Sequence, residues 1–219
     1  GYRFYLDWRN ATDIFGKKTS DMVLRETGQH DTVATDDSYH HMQEWGMDIL
    51  KVGQTLGIGS IAMTENGKIN MVSETDKIVC EITANGPLLS EVKTDYYGWK
   101  VGEKKYDLTA SFNISAGSRL TNAELMITGE AGNITTGIAK HENAVFIKSE
   151  KEGKWQYIGL YGKQALSGDD LGIVLFYENK YLNEAGEDDL NYYVNLAPVK
   201  GKVSYKYAAA WEQELNGIK

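Results

Sequence analysis

The 219-residue chain predicts an all-β fold, a large antiparallel β-sandwich. Three observations predict it. Apolar and polar residues alternate with period two in segment after segment, turn sequences rich in Gly, Asn and Asp divide those segments, and helical periodicity is nearly absent.

In chain order, Tyr2, Phe4, Leu6 and Trp8 alternate with Arg3, Tyr5, Asp7 and Arg9. This reads as an opening strand with one apolar face and one carrying two guanidiniums, a phenol and a carboxylate. Ser20-Asp21 is placed to cap a short turn through Arg25-Glu26. Strand signals follow at residues 60–64 and 68–73, divided by Glu65-Asn66-Gly67. In Lys77-Ile78-Val79-Cys80-Glu81-Ile82 the alternation puts the lone cysteine, Cys80, on a face with Ile78 and Ile82, where it reads as a small buried hydrophobe. After Ala84-Asn85-Gly86, further strands are expected at 87–95, at Leu108, Ala110, Phe112 and Ile114, at Ala123, Leu125 and Ile127, and at Gly137-Ile138-Ala139. The last group lies at 155–161, 172–177, 191–197 and Val203, Tyr205 and Tyr207. Residues 208–215 read as a terminal helix or an edge strand. The acidic stretch 183–189 reads as a solvated loop, because it lacks the alternating ligand register of a calcium loop.

With 42% hydrophobic residues and only two prolines, residues 1–219 read as one domain with a sizeable core. Asp and Glu (31) outnumber Lys and Arg (23) for a formal charge of -8, and no basic stripe interrupts this. This argues against nucleic acid and anionic membrane as partners, and an anionic substrate must be met by specific local cations. No apolar run approaches the about 20 residues needed to span a bilayer. One cysteine excludes internal disulfides and leaves the compartment open. Because Gly1 stands inside an apparent strand, a removed leader or an upstream part of the protein is expected.

Chemistry concentrates in the twenty-one residues from Tyr39 to Gly59, which hold two imidazoles, two carboxylates, an ammonium, a phenol and four glycines. Such density points to the mouth of a binding cleft for a polar ligand. Here Tyr39, His40, Asp48 and Lys51 are the candidates. His40 and His41 would face opposite sides of an extended chain, so at most one meets a ligand; the other reading of such a histidine is structural. A helical segment would align His40, Glu44 and Asp48 as for a metal, but the nearby glycines argue against a helix, and no metal is expected. On the opening strand, Arg3 and Arg9 are planar receptors for a carboxylate or sulfate, or else members of a salt-bridged solvent face. Tyr97 and Trp99, in Tyr96-Tyr97-Gly98-Trp99, offer ring faces for sugars unless they are core residues. His141 is placed to reach the same cleft from another sheet.

Several of these segments resemble one family. Residues 2–10, Asp13-Ile14-Phe15-Gly16-Lys17-Lys18, Tyr39-His40, Gly46-Met47-Asp48, Lys51-Val52-Gly53 and Leu56-Gly57-Ile58-Gly59 are similar to the bacterial domain-of-unknown-function family 4861. The likeness continues through Asn85-Gly86-Pro87, Asp95-Tyr96-Tyr97-Gly98-Trp99 and Ser115-Ala116-Gly117-Ser118. It implies a sandwich like the galactose mutarotase and polysaccharide lyase supersandwiches. It also implies a place in bacterial polysaccharide-degradation loci, similarity to ulvan oligosaccharide dehydratases, and a periplasmic or secreted location. Gln43 and Glu44 depart from the family's pattern, which often carries a histidine and a glycine there, and family members are commonly longer at the N-terminus.

The expected activity is that of a dehydratase. It would remove water across C4 and C5 of a non-reducing-end uronic acid on an acidic oligosaccharide, leaving a 4,5-unsaturated residue, with no cofactor. Arg9 or Lys51 would neutralise the sugar carboxylate, His40 and Tyr39 would act as base and acid with His141 in reserve, and Asp48 would orient His40 or pair with Lys51. Arg3, Tyr97 and Trp99 would help to bind substrate. A polysaccharide lyase and a non-catalytic carbohydrate-binding sandwich remain the alternatives.

Overall fold

A computed structural model describes residues 1–25, 27, 38–151 and 153–215. The chain runs through β1 (Tyr2–Phe4), β2 (Thr12–Lys17), β3 (Gly46–Asp48), β4 (Ala62–Glu65), β5 (Lys68–Met71) and β6 (Lys77–Asn85). It continues with β7 (Leu89–Val101), β8 (Lys104–Ser115), β9 (Thr121–Ile127), β10 (Ile134–Ala139) and β11 (Ala144–Lys148). Five strands complete it: β12 (Trp155–Gly162), β13 (Leu171–Glu178), β14 (Leu182–Glu187), β15 (Asn191–Leu196) and β16 (Lys202–Trp211). Three antiparallel sheets result, ordered β1-β2-β3, β14-β15-β10-β4-β5 and β11-β12-β13-β16-β9-β8-β7-β6. The fold is an all-β antiparallel sandwich. Among the described residues no helix is long and apolar enough to cross a membrane.

The eight-stranded sheet buries one face. Tyr106, Leu108, Ala110 and Phe112 of β8, Ala123, Leu125 and Ile127 of β9, and Val203, Tyr205 and Tyr207 of β16 point inward, while their alternates lie half-buried or exposed. That is the pattern of a sheet packed on one side only. Each fully buried Leu or Ile side chain adds roughly 1.5–3 kcal/mol of hydrophobic stabilisation. The five-stranded sheet covers this face, with β10 buried along its whole length. Tyr205 Oη donates to the Gly59 carbonyl at 2.7 Å and so ties the layers together.

The ribbon β1-β2-β3 covers the rest of that face. Tyr2 meets Tyr207 edge-on at 5.4 Å between centroids, and Phe4 meets Phe112 at 4.9 Å. The glycine-rich end of the segment read in the sequence as the mouth of a cleft is also the joint between ribbon and sandwich. Gly57 and Gly59 adopt φ of 51° and 71°, and a Cβ there would fall 2.2 Å from the Thr12 carbonyl oxygen and 2.4 Å from Tyr207 Cδ1. Only glycine combines that conformation with that approach. Ile58 and Thr12 also exchange a backbone bond, Ile58 N–H donating to Thr12 O at 3.2 Å.

Several local expectations are corrected. Cys80 is exposed, and Ile82 on the same face is 70% exposed, because β6 is the uncovered edge of the large sheet. The acidic stretch is largely strand β14, paired with β15, rather than a loop. Residues 208–211 continue β16 as a strand and end in a turn. The opening strand stops at Phe4. Asn10 N–H bonds to the Asp7 carbonyl and Asn10 takes a φ of 44°, so residues 7–10 form a turn and Arg9 does not extend the face of Arg3.

Candidate active site

The ribbon's outer face is polar. In β1 and β2 Arg3 stands opposite Asp13, and in β2 and β3 Phe15 stands opposite Asp48. Since Tyr2 and Phe4 turn inward to the sandwich, period two sends Arg3, Asp13, Phe15 and Asp48 to the other side. Just past β1, Tyr5 donates its hydroxyl to Asp13 Oδ2 at 2.6 Å. The 3-10 turn Ser38–His40 brings two more rings to this face. His40 Nε2 lies 3.2 Å from Asp48 Oδ2. Tyr39 stands 4.4 Å from the His40 ring and 5.9 Å from Phe15, centroid to centroid. The Arg3 guanidinium lies over both Phe15 (4.5 Å) and Tyr39 (5.2 Å), and its Nη2 donates to the Thr27 carbonyl at 2.9 Å. Cation–π contact of this kind holds the planar cation in place.

Burial governs the charges. Asp13 and Asp48 are both buried, and loss of hydration disfavours an ionised carboxylate. Asp13 is pushed up to about 7, first by burial and then by the charge of Asp48; the bonds donated by Tyr5 and the Ile14 N–H, and Arg3 nearby, oppose the shift. Burial likewise pushes Asp48 up to about 6, against the Leu50 N–H at 3.2 Å and the charge of Arg3. Tyr5 is raised by burial and by its bond to Asp13, so it stays a neutral donor. An imidazole on a buried carboxylate, two phenols and one planar cation can together bind an anion and move protons beside it.

The sequence candidates divide. Arg3, Tyr39, His40 and Asp48 come together. Arg9 stands at the rim, ion-paired with Asp7 and 4.0 Å over the Tyr5 ring. Lys51 is exposed three residues beyond Asp48, and no hydrogen bond or ion pair among the described residues joins it to the cluster. His141 is exposed in the turn between β10 and β11, where its Nδ1 accepts the Asn143 N–H at 3.3 Å. Tyr97 is exposed beside the Lys77 amine at 5.7 Å, on the β7 strand near the β6 edge. Trp99, expected as a sugar platform, is a core residue: it is fully buried, and its Nε1–H donates to the Met71 carbonyl at 3.1 Å.

Asp13 escaped the sequence reading, and Tyr5 was seen there only as one of a row. The available signal was a lone carboxylate in Ala11-Thr12-Asp13-Ile14-Phe15, a run with no other charged residue. On the ribbon's opposite face lies a cavity of about 420 Å³ whose lining includes Tyr2, Phe4, Phe112, Tyr207 and Trp211. The carboxylate pair does not line it. Among the described residues, no group of three or more His, Cys, Asp or Glu is placed to hold a metal ion.

The family model for a domain of unknown function, DUF4861, matches residues 1–219. The chain belongs to the DUF4861 family. No curated protein matches it. In this DUF4861 member, then, the residues brought to one face are Arg3, Tyr5, Asp13, Tyr39, His40 and Asp48, drawn from three strands and the turn Ser38–His40.

Proposed function

We propose that this DUF4861 protein is a dehydratase. It eliminates water from the non-reducing-end uronic acid of an acidic, ulvan-type oligosaccharide, and it works in the periplasm or outside the cell. One observation carries the reading: a planar cation, an exposed imidazole on a buried carboxylate and a phenol share one small face. Arg3 takes the anion-receptor role that the sequence gave to Arg9 or Lys51, because those two are ion-paired at the rim and apart from the cluster, respectively.

The chemistry follows from charge. The C5 proton of a uronate becomes removable when a cation holds the carboxylate and stabilises the enolate-like charge that develops on it. His40, oriented by Asp48, accepts that proton, and Tyr39 protonates the departing C4 hydroxyl. The C5–H and C4–O bonds break, a C4–C5 double bond forms, and water leaves.

Mass spectrometry of defined, saturated, uronate-terminated oligosaccharides tests this. A product lighter than the intact chain by one water is the expected result. Two fragments would identify a lyase, in which the group leaving C4 is a sugar. Binding with no product would identify a carbohydrate-binding sandwich, and either outcome would displace the dehydratase reading.

A further inference from the structure

We infer that the cavity beneath the ribbon is a second binding site, one that takes a small neutral ring bearing a single hydroxyl, a molecule of the phenol class. It lies on the side of the ribbon away from the candidate active face, so it stands apart from the dehydratase reading.

Strand register builds this cavity. Thr12 is the strand partner of Phe4 and shares its inward face. In the eight-stranded sheet Thr121 stands opposite Tyr207, and Trp211 follows Tyr207 on the same face of β16. The rings of Phe4, Phe112, Tyr207 and Trp211 and the two threonines thus line one space of about 420 Å³, a size within the range of small-molecule pockets.

Polar atoms decide what that space accepts. Thr12, Thr121 and Trp211 are 1%, 5% and 1% exposed, yet among the described residues neither threonine Oγ1 nor the Trp211 Nε1–H has a hydrogen-bond partner. The Tyr207 hydroxyl approaches both threonines without closing a hydrogen bond to either. Buried polar groups are nearly always paired, because an unpaired one has lost its water and gained nothing. Three such atoms lining one cavity call for a partner from outside the chain.

Their chemistry defines the class of that partner. An indole N–H only donates, whereas a threonine hydroxyl both donates and accepts, so an incoming hydroxyl can accept from one of these groups and donate to another. Aromatic walls favour a flat apolar body. The charged side chains of the lining, Arg119 and Glu214, pair with each other at 2.7 Å, and a neutral ligand leaves that pair intact. A sugar ring would instead carry a hydroxyl on nearly every carbon into a largely aromatic interior, where most would lose their water without replacement.

The probe is p-cresol, with toluene as the same body lacking the hydroxyl. Calorimetric titration of the unaltered protein measures both affinities, and heteronuclear NMR follows the Trp211 Nε1–H signal. The expected result is saturable binding of p-cresol, a shift of that signal, and affinity for toluene lower by about 2- to 10-fold, the worth of one neutral hydrogen bond. Thr121→Val should weaken p-cresol by a similar factor and leave stability to urea undiminished, because the hydroxyl it removes bonds to nothing in the protein. Failure of p-cresol to bind, the outcome if water or another part of the protein fills the cavity, would overturn the inference. Binding that leaves the Trp211 signal unmoved would also overturn it, as would a Thr121→Val variant that loses stability while keeping its affinity for p-cresol.

Discussion

His40 Nε2 stands 3.2 Å from Asp48 Oδ2, and the two side chains differ in exposure, 44% for the imidazole and 5% for the carboxylate. The carboxylate lies inside the ribbon's surface and the imidazole stands on top of it. Asp48 thus helps to fix a ring that remains partly exposed.

If His40 handles the C5 proton, His40→Ala should lower kcat for unsaturated product by about 10²–10⁴-fold, the usual worth of a positioned acid or base. Asp48→Asn should lower kcat less and leave KM nearly unchanged, because the amide still holds the ring without supplying charge. Steady-state kinetics of both variants check this.

Arg3 meets the substrate carboxylate in the proposed complex, so Arg3→Gln should raise KM about 10- to 100-fold, the worth of one charge-assisted hydrogen bond. Arg3→Lys should recover only part of it, since an ammonium lacks the planar fork and the stacking on Phe15 and Tyr39. Lys51→Ala should have a smaller effect than either. Titration with a uronate-terminated oligosaccharide ranks the three.

Folding should depend on pH through Asp13 and Asp48. Both carboxyls are raised by burial, to about 7 and about 6, so between the ordinary carboxylate range and those values the folded state holds protons that the unfolded chain releases. Stability is therefore greatest at the acidic end of that window and falls as pH rises through it, by up to about 1.4 kcal/mol per pH unit for one proton. Asp13→Asn should flatten the decline. Urea denaturation at successive pH values measures both slopes.

The ribbon's seat on the sandwich should matter as much as the cluster. A Cβ at Gly16 would lie 2.4 Å from Trp211 Cε3, and both residues are buried. Gly16→Ala should cost about 1–3 kcal/mol through overpacking, and it should reduce activity because Gly16 adjoins Phe15, the strand partner of Asp48. Thermal denaturation alongside product formation tests the pairing of the two losses.

What the sequence disclosed follows its physical scale. β8, β9 and β16 were legible because each buries one face, and period two then writes itself into the residues. Cys80 was misread because burial on an edge strand depends on where the covering sheet ends, which alternation does not encode. Arg3, Tyr39, His40 and Asp48 were legible as chemistry-bearing types in dense segments. Arg9 was misplaced because the turn at residues 7–10 broke the period after Phe4. Asp13 was missed because a buried carboxylate is defined by its partners, and Tyr5 and Asp48 reach it only through the pairing of β1, β2 and β3.

The most direct test follows ultraviolet absorbance of a conjugated unsaturated uronate while the protein is incubated with a saturated, uronate-terminated oligosaccharide. A steady rise with the unaltered protein, sharply slowed in His40→Ala and, at substrate levels below its raised KM, in Arg3→Gln, while each variant keeps its fold by circular dichroism, is the expected result. No rise with any acidic oligosaccharide, or an equal rise in both variants, would contradict a catalytic role for the ribbon's outer face.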